Sequence, residues 1–505
     1  MTMTCWGAFV NGARRLLHLN PAPPAGWDVL IIGAGLGGLS TAILLAKRGY
    51  RVLVLEKNAT TGGYASQVLY GNIAFDLGAQ DITILGKEGM RIVRQLGLDK
   101  NLQAISPHGV SIYPEHRLVW DSGSAKKTRG YLLECFPAEA KALKRFFKEM
   151  SIVYKEMDRY LTPRNLQLDP RKFPSLMRYR NDTAEQLLKK FFSDPALISL
   201  LASYCLFYQG MPVDSLSALH FVGLLQSYFD TGAFYARGGI GALSDKLRLQ
   251  LEALGGQVEL EAEVKSIIVE DAQAVGVSLA DGRELKARAV VANIDPRILY
   301  SKLLPQSASS EFGAFKLKSD HLSRCQLFVL LDDDAPALPF VTFYATTYDK
   351  VEEFQAFVAG HPLSMRIFCP PGKPRTLSIA LPAPYERWRS AKANGSAEFE
   401  SMKQILTEHL LRLLSSAYPE LSGKVKALGM ITPVDLENWS GNCTGSLYGA
   451  DAIPEQSGMH GAASALPLPG LFMTGQWISG GSATLVLRGA SLSAFAIDRF
   501  LRKRR

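Results

Sequence analysis

The sequence lacks paired cysteines and metal-binding spacings. Its six cysteines lie far apart and include no Cys-x-x-Cys pair. Isolated cysteines of this kind are typical of reduced thiols in a cytosolic-type compartment. The eight histidines include no His-x-x-x-His or related spacing. We therefore predict that the protein binds no metal.

Long hydrophobic runs are also missing. A membrane-spanning helix needs about 18 or more consecutive apolar residues, and no stretch reaches that length. The nearest, 198–208, is too short and contains Ser199 and Ser203. The sequence therefore predicts a cytoplasmic or peripheral membrane protein that touches a membrane from one side only.

The basic residues do not form a continuous stripe along the sequence. The net charge is +9 over 505 residues, with a pI of about 9.1. Because the basic residues are dispersed, we predict no nucleic-acid partner. An apolar content of 47% and a charged content of 20% indicate a globular chain, and its length predicts two domains.

Residues 1–26 contain no acidic residue but include Arg14 and Arg15. Apolar residues recur there at helical spacing and would share one face. Gly7 and Gly12 weaken that helix. Three interpretations stay open: an interfacial membrane helix, a targeting or organellar leader, and a helix packed on the body.

The stretch 28–63 is the strongest pattern in the chain. An apolar run that ends at Ile32 predicts a buried strand, and a Gly-x-Gly-x-x-Gly turn then opens a helix. Gly33 permits the tight turn, Gly35 lets the backbone approach a pyrophosphate, and Gly38 lets the helix pack on the strand. The helix N-terminus would bind the phosphates.

An acidic residue ends the second strand of this unit. Glu56 lies 18 residues after Gly38, close to the roughly 20 expected for a carboxylate that accepts a ribose hydroxyl. The same carboxylate would repel a ribose phosphate, which favours FAD or NAD over NADP. A tight turn without a ligand is the alternative, and the strand, helix and acid around these glycines argue against it.

Two further sequence segments favour FAD over NAD. Glu56 is followed by Lys57 and then by the pair Gly62 and Gly63, and 75–79 reads Phe-Asp-Leu-Gly-Ala. This resembles the extended FAD signature of the amine-oxidase and phytoene-desaturase superfamily. The resemblance implies that Lys57, Gly62 and Gly63 belong to an FAD site, with the double glycine against the flavin side.

The same resemblance extends to the middle and the end of the chain. The segment after Gly255 resembles the second FAD segment of these proteins, which implies backbone contacts from Val264 to the adenine. The run 469–482 resembles the closing FAD motif of phytoene desaturases, carotenoid isomerases and retinol saturases. There a strand ends at Gly475 and Gln476, and a helix from about Thr484 would direct its N-terminus at the flavin.

These segments predict an α/β fold with a Rossmann-like FAD-binding domain assembled from three pieces, 27–90, 235–300 and 455–505. The two insertions, 91–234 and 301–454, would form an α+β substrate domain.

The first insertion is rich in aromatic and cationic residues. Lys144–Lys148 and Lys189–Phe192 either meet lipid headgroups or pack their rings inward. Aromatic residues farther on would line an apolar pocket or form ordinary core; they are Tyr204, Phe207, Tyr208, Phe221, Tyr228, Phe229, Phe234 and Tyr235.

The resemblance implies a flavoprotein that desaturates carbon–carbon bonds of an isoprenoid or carotenoid-like substrate by hydride transfer to flavin N5. Oxygen or a quinone would then reoxidise the flavin. A carotenoid-type isomerase or retinol-type saturase that uses reduced FAD is the alternative. An amine oxidase and a non-enzymatic prenyl-binding escort protein are weaker alternatives. The His-Pro of many desaturases is replaced here by 476–479, Gln-Trp-Ile-Ser, and no residue stands out as a catalytic base.

Overall fold

The computed structural model describes residues 26–122, 124–160, 169–306, 318–456 and 466–503. The predicted helix in 1–26 lies outside these ranges, apart from Gly26. The strands are β1 (Trp27–Ile32), β2 (Val52–Leu55), β3 (Gln67–Tyr70), β4 (Ile73–Asp76), β5 (Ile82–Thr83), β6 (Leu102–Ile105), β7 (Gly109–Ile112), β8 (Arg117–Trp120), β9 (Ala233–Ala236), β10 (Gln257–Glu259), β11 (Val264–Glu270), β12 (Gln273–Leu279), β13 (Glu284–Ala292), β14 (Ser323–Leu331), β15 (Val341–Ala345), β16 (Ser364–Phe368), β17 (Thr376–Ala383), β18 (Val425–Ile431) and β19 (Leu471–Met473).

Helices lie between several of these strands and after the last one. They are α1 (Leu36–Ala46), α2 (Gly86–Gln95), α3 (Ala125–Cys135), α4 (Ala140–Tyr160), α5 (Pro174–Tyr179), α6 (Ala184–Lys189), α7 (Pro195–Gln209), α8 (Ala218–Asp230), α9 (Gly241–Ala253), α10 (Pro296–Ile298), α11 (Lys350–Ala359), α12 (Tyr385–Asn394), α13 (Ser396–Ala417), α14 (Pro433–Ser440), α15 (Gln476–Ser479) and α16 (Ala483–Arg502). The predicted α/β class is confirmed.

The first sheet gathers strands from three distant parts of the chain. Its order is β10–β2–β1–β13–β12–β11, and β19 pairs with β13. Strands β10, β2, β1, β13 and β19 run parallel, whereas β11 and β12 form an antiparallel extension. The carboxyl ends of β1, β2 and β19 therefore meet at one edge, where α/β sheets bind ligands.

Side-chain alternation explains why β1 is buried on both faces. Val29 and Ile31 join the core beneath α1, while Leu30 and Ile32 join the core on the opposite face. Every residue of α1 is buried. This apolar helix packs against α9 and α16 as well as the sheet, which fixes the direction of its N-terminus.

The second sheet belongs to the two insertions. Its order is β18–β14–β17–β16–β15–β7–β8. All neighbours are antiparallel except β15 and β7. Its strands and the helices α4, α7 and α8 share one large core, rich in aromatic rings. Two of its strands, β14 and β16, contribute Arg324 and Arg366 to the lining of the cavity described below.

The aromatic and cationic segments of the first insertion pack inward. Phe146, Phe147 and Phe192 are buried, and the Arg145 guanidinium lies 5.1 Å from the Phe191 ring centroid. These rings belong to the core rather than to a headgroup boundary. Within the described ranges, no helix has the length and apolarity to cross a bilayer.

Candidate functional site

The glycine turn between β1 and α1 is built from backbone contacts. Gly33 has a φ of +97° and donates its N–H to the Leu55 carbonyl at 2.7 Å. A Cβ on Gly38 would overlap the Gly33 carbonyl oxygen. Gly38 therefore lets the helix approach the strand, as predicted from its spacing, and does not itself line the cavity described below.

The N-terminus of α1 is available to a ligand. Gly35 is its N-cap residue, and no described side chain caps it. The first amide groups of a helix need partners outside the helix. Gly33 and Gly35 both line the cavity described below. The turn therefore presents amide hydrogens and a positive dipole end to an anion such as a pyrophosphate.

The carboxylate of Glu56 is fixed beside this turn. It accepts hydrogen bonds from the backbone N–H of Ala34 at 2.7 Å and of Asn58 at 3.0 Å. Glu56 is only 6% exposed. Burial raises the pKa of Glu56, and the two amide donors oppose that shift. The next residue, Lys57, also lines the cavity and reaches the Asn438 carbonyl at 3.3 Å.

The double glycine closes over the turn. Gly62 donates to the Ala34 carbonyl at 2.9 Å and has a φ of +114°, while Gly63 has a φ of +57°. A Cβ on Gly62 would lie 2.6 Å from the Ala65 carbonyl oxygen. Both glycines line the cavity, and so does Val264 at the start of β11. These backbone surfaces fit a dinucleotide, which needs close approach without side chains.

The closing segment lies against the same turn. Gly475 has a φ of +82°, and a Cβ there would overlap the Asn293 side chain. The adjacent Gln476 lines the cavity, and its buried Nε2 has no hydrogen-bond partner among the described residues. A buried donor of this kind calls for an acceptor from a ligand or a water molecule. Thr484 instead donates to the Thr83 carbonyl and faces a different cavity.

These elements enclose a first cavity of about 590 Å³. Of the predicted cofactor residues, it brings together Gly33, Gly35, Glu56, Lys57, Gly62, Gly63, Val264 and Gln476. Gly38, Gly475 and Thr484 lie outside its lining. The cavity continues past the glycines to the second sheet, where Gln80, Asp81, Tyr208 and Arg366 form its far wall.

A second cavity of about 780 Å³ adjoins the first. Both are lined by Gln209, Leu224 and Gln476. The second cavity is mostly apolar and opens beside α16, where Phe495 is 53% exposed. An apolar compartment that meets a polar one suits an elongated hydrophobic molecule.

A buried polar cluster occupies the far wall of the first cavity. One oxygen of Asp81, Oδ2, accepts from the Tyr208 hydroxyl at 2.7 Å and from the Tyr228 hydroxyl at 2.5 Å. His108 Nε2 lies 3.1 Å from the same oxygen. These hydrogen bonds, together with the nearby Arg366 charge, overcome burial and hold the pKa of Asp81 well below its usual range.

Sequence reasoning missed most of this cluster. It named Tyr208 and Tyr228 only as candidates for an apolar pocket, and it did not select Asp81, His108 or Arg366. These residues come from two loops, two helices and one strand that are far apart in the chain. A charged residue inside an otherwise apolar strand, Arg366 within 364–368, was the one local signal.

Comparisons with known proteins agree with this architecture. The sequence profile of the family described as flavin containing amine oxidoreductase matches residues 36–496. The all-trans-retinol 13,14-reductase of Rattus norvegicus is 26% identical over 94% of this chain and 86% of its own length. The neurosporene-forming phytoene desaturase of Rhodobacter capsulatus is 30% identical over 54% of each chain. The cyclohexylamine oxidase structure from Brevibacterium oxydans aligns with a TM-score of 0.61 at 17% identity, covering 95% of this chain and all of that one.

Proposed function

The chain belongs to the family of flavin-containing amine oxidoreductases, and from this membership we propose that it transfers a hydride between FAD and a carbon–carbon bond of a hydrophobic isoprenoid. It is an FAD-dependent enzyme. The observation that carries the substrate proposal is the pair of adjacent cavities, which share the lining residues Gln209, Leu224 and Gln476. One end has the glycine turn, and the other has apolar and aromatic walls large enough for a long hydrocarbon chain.

The predicted cofactor residues define the proposed FAD site. Gly33 would hold the tight turn, Gly35 would let the backbone approach the pyrophosphate at the N-terminus of α1, and Glu56 would accept a ribose hydroxyl. Gly62 and Gly63 would approach the dinucleotide with their backbone, and Val264 would lie at the adenine. Gln476 would direct its unpaired amide N–H groups at a flavin acceptor atom. The three-segment division of the FAD domain and the two-insertion substrate domain belong to the same proposal.

The chain's own residues would orient the substrate and exclude water. When bound, FAD supplies the donor or acceptor of the hydride. Leu224 lines both cavities, and the rings of Tyr208 and Tyr228 line the first of them. The hydroxyl protons of both tyrosines are held at Asp81 Oδ2. Exclusion of water strengthens electrostatic interactions around the reacting carbons.

Two directions of reaction are candidates. In desaturation, a hydride and a proton leave adjacent carbons, and oxygen or a quinone reoxidises the flavin. In saturation, both add across a double bond. The match to a retinol reductase over 94% of this chain favours saturation, and the desaturase match covers 54% of it. A third candidate reaction is isomerisation of a polyene by an enzyme that uses reduced FAD.

Anaerobic spectroscopy of the purified holoprotein tests the proposal. Chemically reduced enzyme is mixed with all-trans-retinol or another polyene, and oxidised enzyme with a partly saturated isoprenoid. We expect the oxidised-flavin band to return in the first mixture or to bleach in the second, with a product changed by two hydrogen atoms. A flavin that stays unchanged with every isoprenoid, but bleaches with an alkylamine, would contradict the proposal and identify an amine oxidase.

We also propose that the enzyme takes its substrate from a membrane surface. Phe495 stands exposed on α16 at the mouth of the second cavity, whose wall includes Arg499 and Lys503. An exposed ring beside cations suits a lipid headgroup boundary. Sedimentation with phosphatidylserine vesicles should capture the wild type, and Phe495→Asp should weaken capture. Equal capture of both proteins would contradict this docking surface.

A further inference from the structure

Arg366 is a buried cation in the wall of the first cavity. It lies in β16, near the middle of the second sheet, and its side chain is 3% exposed. The guanidinium carbon lies 4.8 Å from the ring centroid of Tyr208. Apolar residues flank it on the same strand, and Met365 and Ile367 are buried in the core. A charge in this position needs partners that compensate for its lost hydration.

The partners present do not use all of its donors. Arg366 Nη2 donates to Gln80 Oε1, whose own amide N–H donates to Ser378 Oγ at 2.7 Å. Arg366 Nη1 lies 3.9 Å from Asp81 Oδ1, which is longer than the roughly 2.7–2.9 Å of a charge-assisted hydrogen bond. Arg366 Nε has no partner among the described residues. Buried donors of this kind are rare unless a ligand or water completes them.

Neighbouring groups do not supply the missing acceptor. The other oxygen of Asp81 already receives Tyr208, Tyr228 and His108. A second buried guanidinium, Arg324, also lines the cavity, and it donates to two neutral acceptors, the Gly78 carbonyl and the Tyr448 hydroxyl. The cavity wall therefore holds two buried guanidinium groups, of which Arg366 lies near the Asp81 carboxylate, and it favours an electron-rich oxygen.

We propose that Arg366 binds an oxygen atom at the end of the substrate, so that the enzyme acts on an isoprenoid alcohol, aldehyde or acid rather than on a pure hydrocarbon. This inference rests on the proposed function and specifies its substrate class. The oxygen accepts from the guanidinium of Arg366, which lines the first cavity, and the hydrocarbon chain extends past Leu224 into the second cavity. A pure hydrocarbon would leave the donor unpaired.

Three matched ligands test the assignment: geranylgeraniol, geranylgeranoic acid, and the hydrocarbon with a methyl group in place of the terminal CH₂OH. Their binding to oxidised holoenzyme is measured by the perturbation of the flavin absorption spectrum. Arg366→Met should weaken the alcohol and the acid by about tenfold or more and leave the hydrocarbon within about twofold. Equal weakening of all three, or of none, would overturn the proposal.

The matched control is Arg389→Met. Arg389 lies on the exposed surface of α12 and pairs with Glu386, so it should leave all three affinities unchanged. If Arg366→Met does not fold, the double variant Arg366→Met/Asp81→Asn removes both charges of the pair and is expected to show the same ligand pattern. In the wild type alone, the alcohol and the acid should each displace the hydrocarbon from mixed micelles, and equal affinity would overturn the proposal.

The two proposals fail in different ways. A protein that discriminates the ligands through Arg366 but converts no isoprenoid contradicts the proposed function and retains the oxygen site. A protein that converts the hydrocarbon as fast as the alcohol, both before and after Arg366→Met, supports the proposed function and contradicts the oxygen site.

Discussion

The two ends of the first cavity are formed by different chemical groups. At the dinucleotide end, glycine backbone and helix N–H groups form the surface, and Glu56 is its main charged side chain. At the far end, Asp81, Arg366 and two tyrosines form a hydrogen-bonded wall. The first end depends on the absence of side chains, whereas the second depends on side chains brought together from distant segments.

This difference teaches where specificity resides. A backbone surface fits a cofactor that many related proteins share, because its shape depends little on the surrounding residues. A wall of buried polar side chains is particular to one chain, because each group needs a specific partner. Mutations at the two ends should therefore separate loss of cofactor from loss of substrate selectivity.

The largest effect is expected at Gly38. Gly38→Val would push α1 away from the Gly33 carbonyl, and overpacking of this kind costs about 3 kcal/mol. We expect the purified protein to lose nearly all of its FAD, measured as flavin absorbance per protein. Gly130→Ala is the control, because a Cβ there meets no atom within 4 Å. Full flavin content in Gly38→Val would contradict the close helix approach.

Asp81 should control stability at the opposite end. Asp81→Asn removes the carboxylate nearest Arg366, and an unpaired buried charge lowers the free energy of unfolding by about 3 kcal/mol. Urea denaturation measures the loss. Asp334→Asn is the control, because its ion pair with Lys424 is exposed and an exposed ion pair contributes little to stability. If both variants lose the same small amount, the polar wall is not a stabilising unit.

The second cavity makes stability depend on pH through His220. Burial lowers the pKa of His220 to about 4, so the unfolded chain binds the extra proton first as the pH falls below its ordinary value of about 6.5. The neutral side chain therefore favours the folded state above that value, and this contribution is lost between about pH 6.5 and 4. Between pH 7 and 5 the wild type should lose about 2 kcal/mol more than His220→Gln. Parallel pH profiles in urea denaturation would show that His220 does not titrate as assigned.

The smallest effect is expected for a substitution of Glu56 at the dinucleotide end. Glu56→Gln keeps an acceptor beside the Ala34 N–H but removes its charge, and charge-assisted hydrogen bonds are about twice as strong as neutral ones. We expect FAD to bind about tenfold more weakly, measured by quenching of flavin fluorescence on titrating the apoprotein. Glu284→Gln, at an exposed strand position, should bind as the wild type does. Unchanged affinity in Glu56→Gln would remove the carboxylate from the proposed ribose contact.

The dinucleotide end was predictable because its signals are local. Gly33, Gly35, Gly38 and Glu56 lie within one strand–helix–strand unit, so their spacing in sequence fixes their spacing in space. The predicted strand and helix correspond to β1 and α1 within a residue or two. The fold class, the family and the flavin cofactor are confirmed. The site residues themselves stay a prediction that the proposed experiments test.

The far wall was not predictable because it is a tertiary property. Asp81 lies in the loop before β5, Tyr208 lies in the last turn of α7, and Arg366 lies in β16. No sequence spacing connects them. Thr484 is a second case in which the sequence predicted the element but not the contact of the side chain. It was placed at the start of the last helix, where α16 does begin at Ala483, but its hydroxyl is directed to Thr83 and away from the first cavity.

A crystal structure of the holoenzyme with bound geranylgeraniol would test the central claim most directly. The account predicts FAD along the glycine turn, with the ligand's oxygen within hydrogen-bond distance of the Arg366 guanidinium and its hydrocarbon end directed to the opening at Phe495. A ligand bound in the reverse direction, with its oxygen at that opening and hydrocarbon against Arg366, would contradict it.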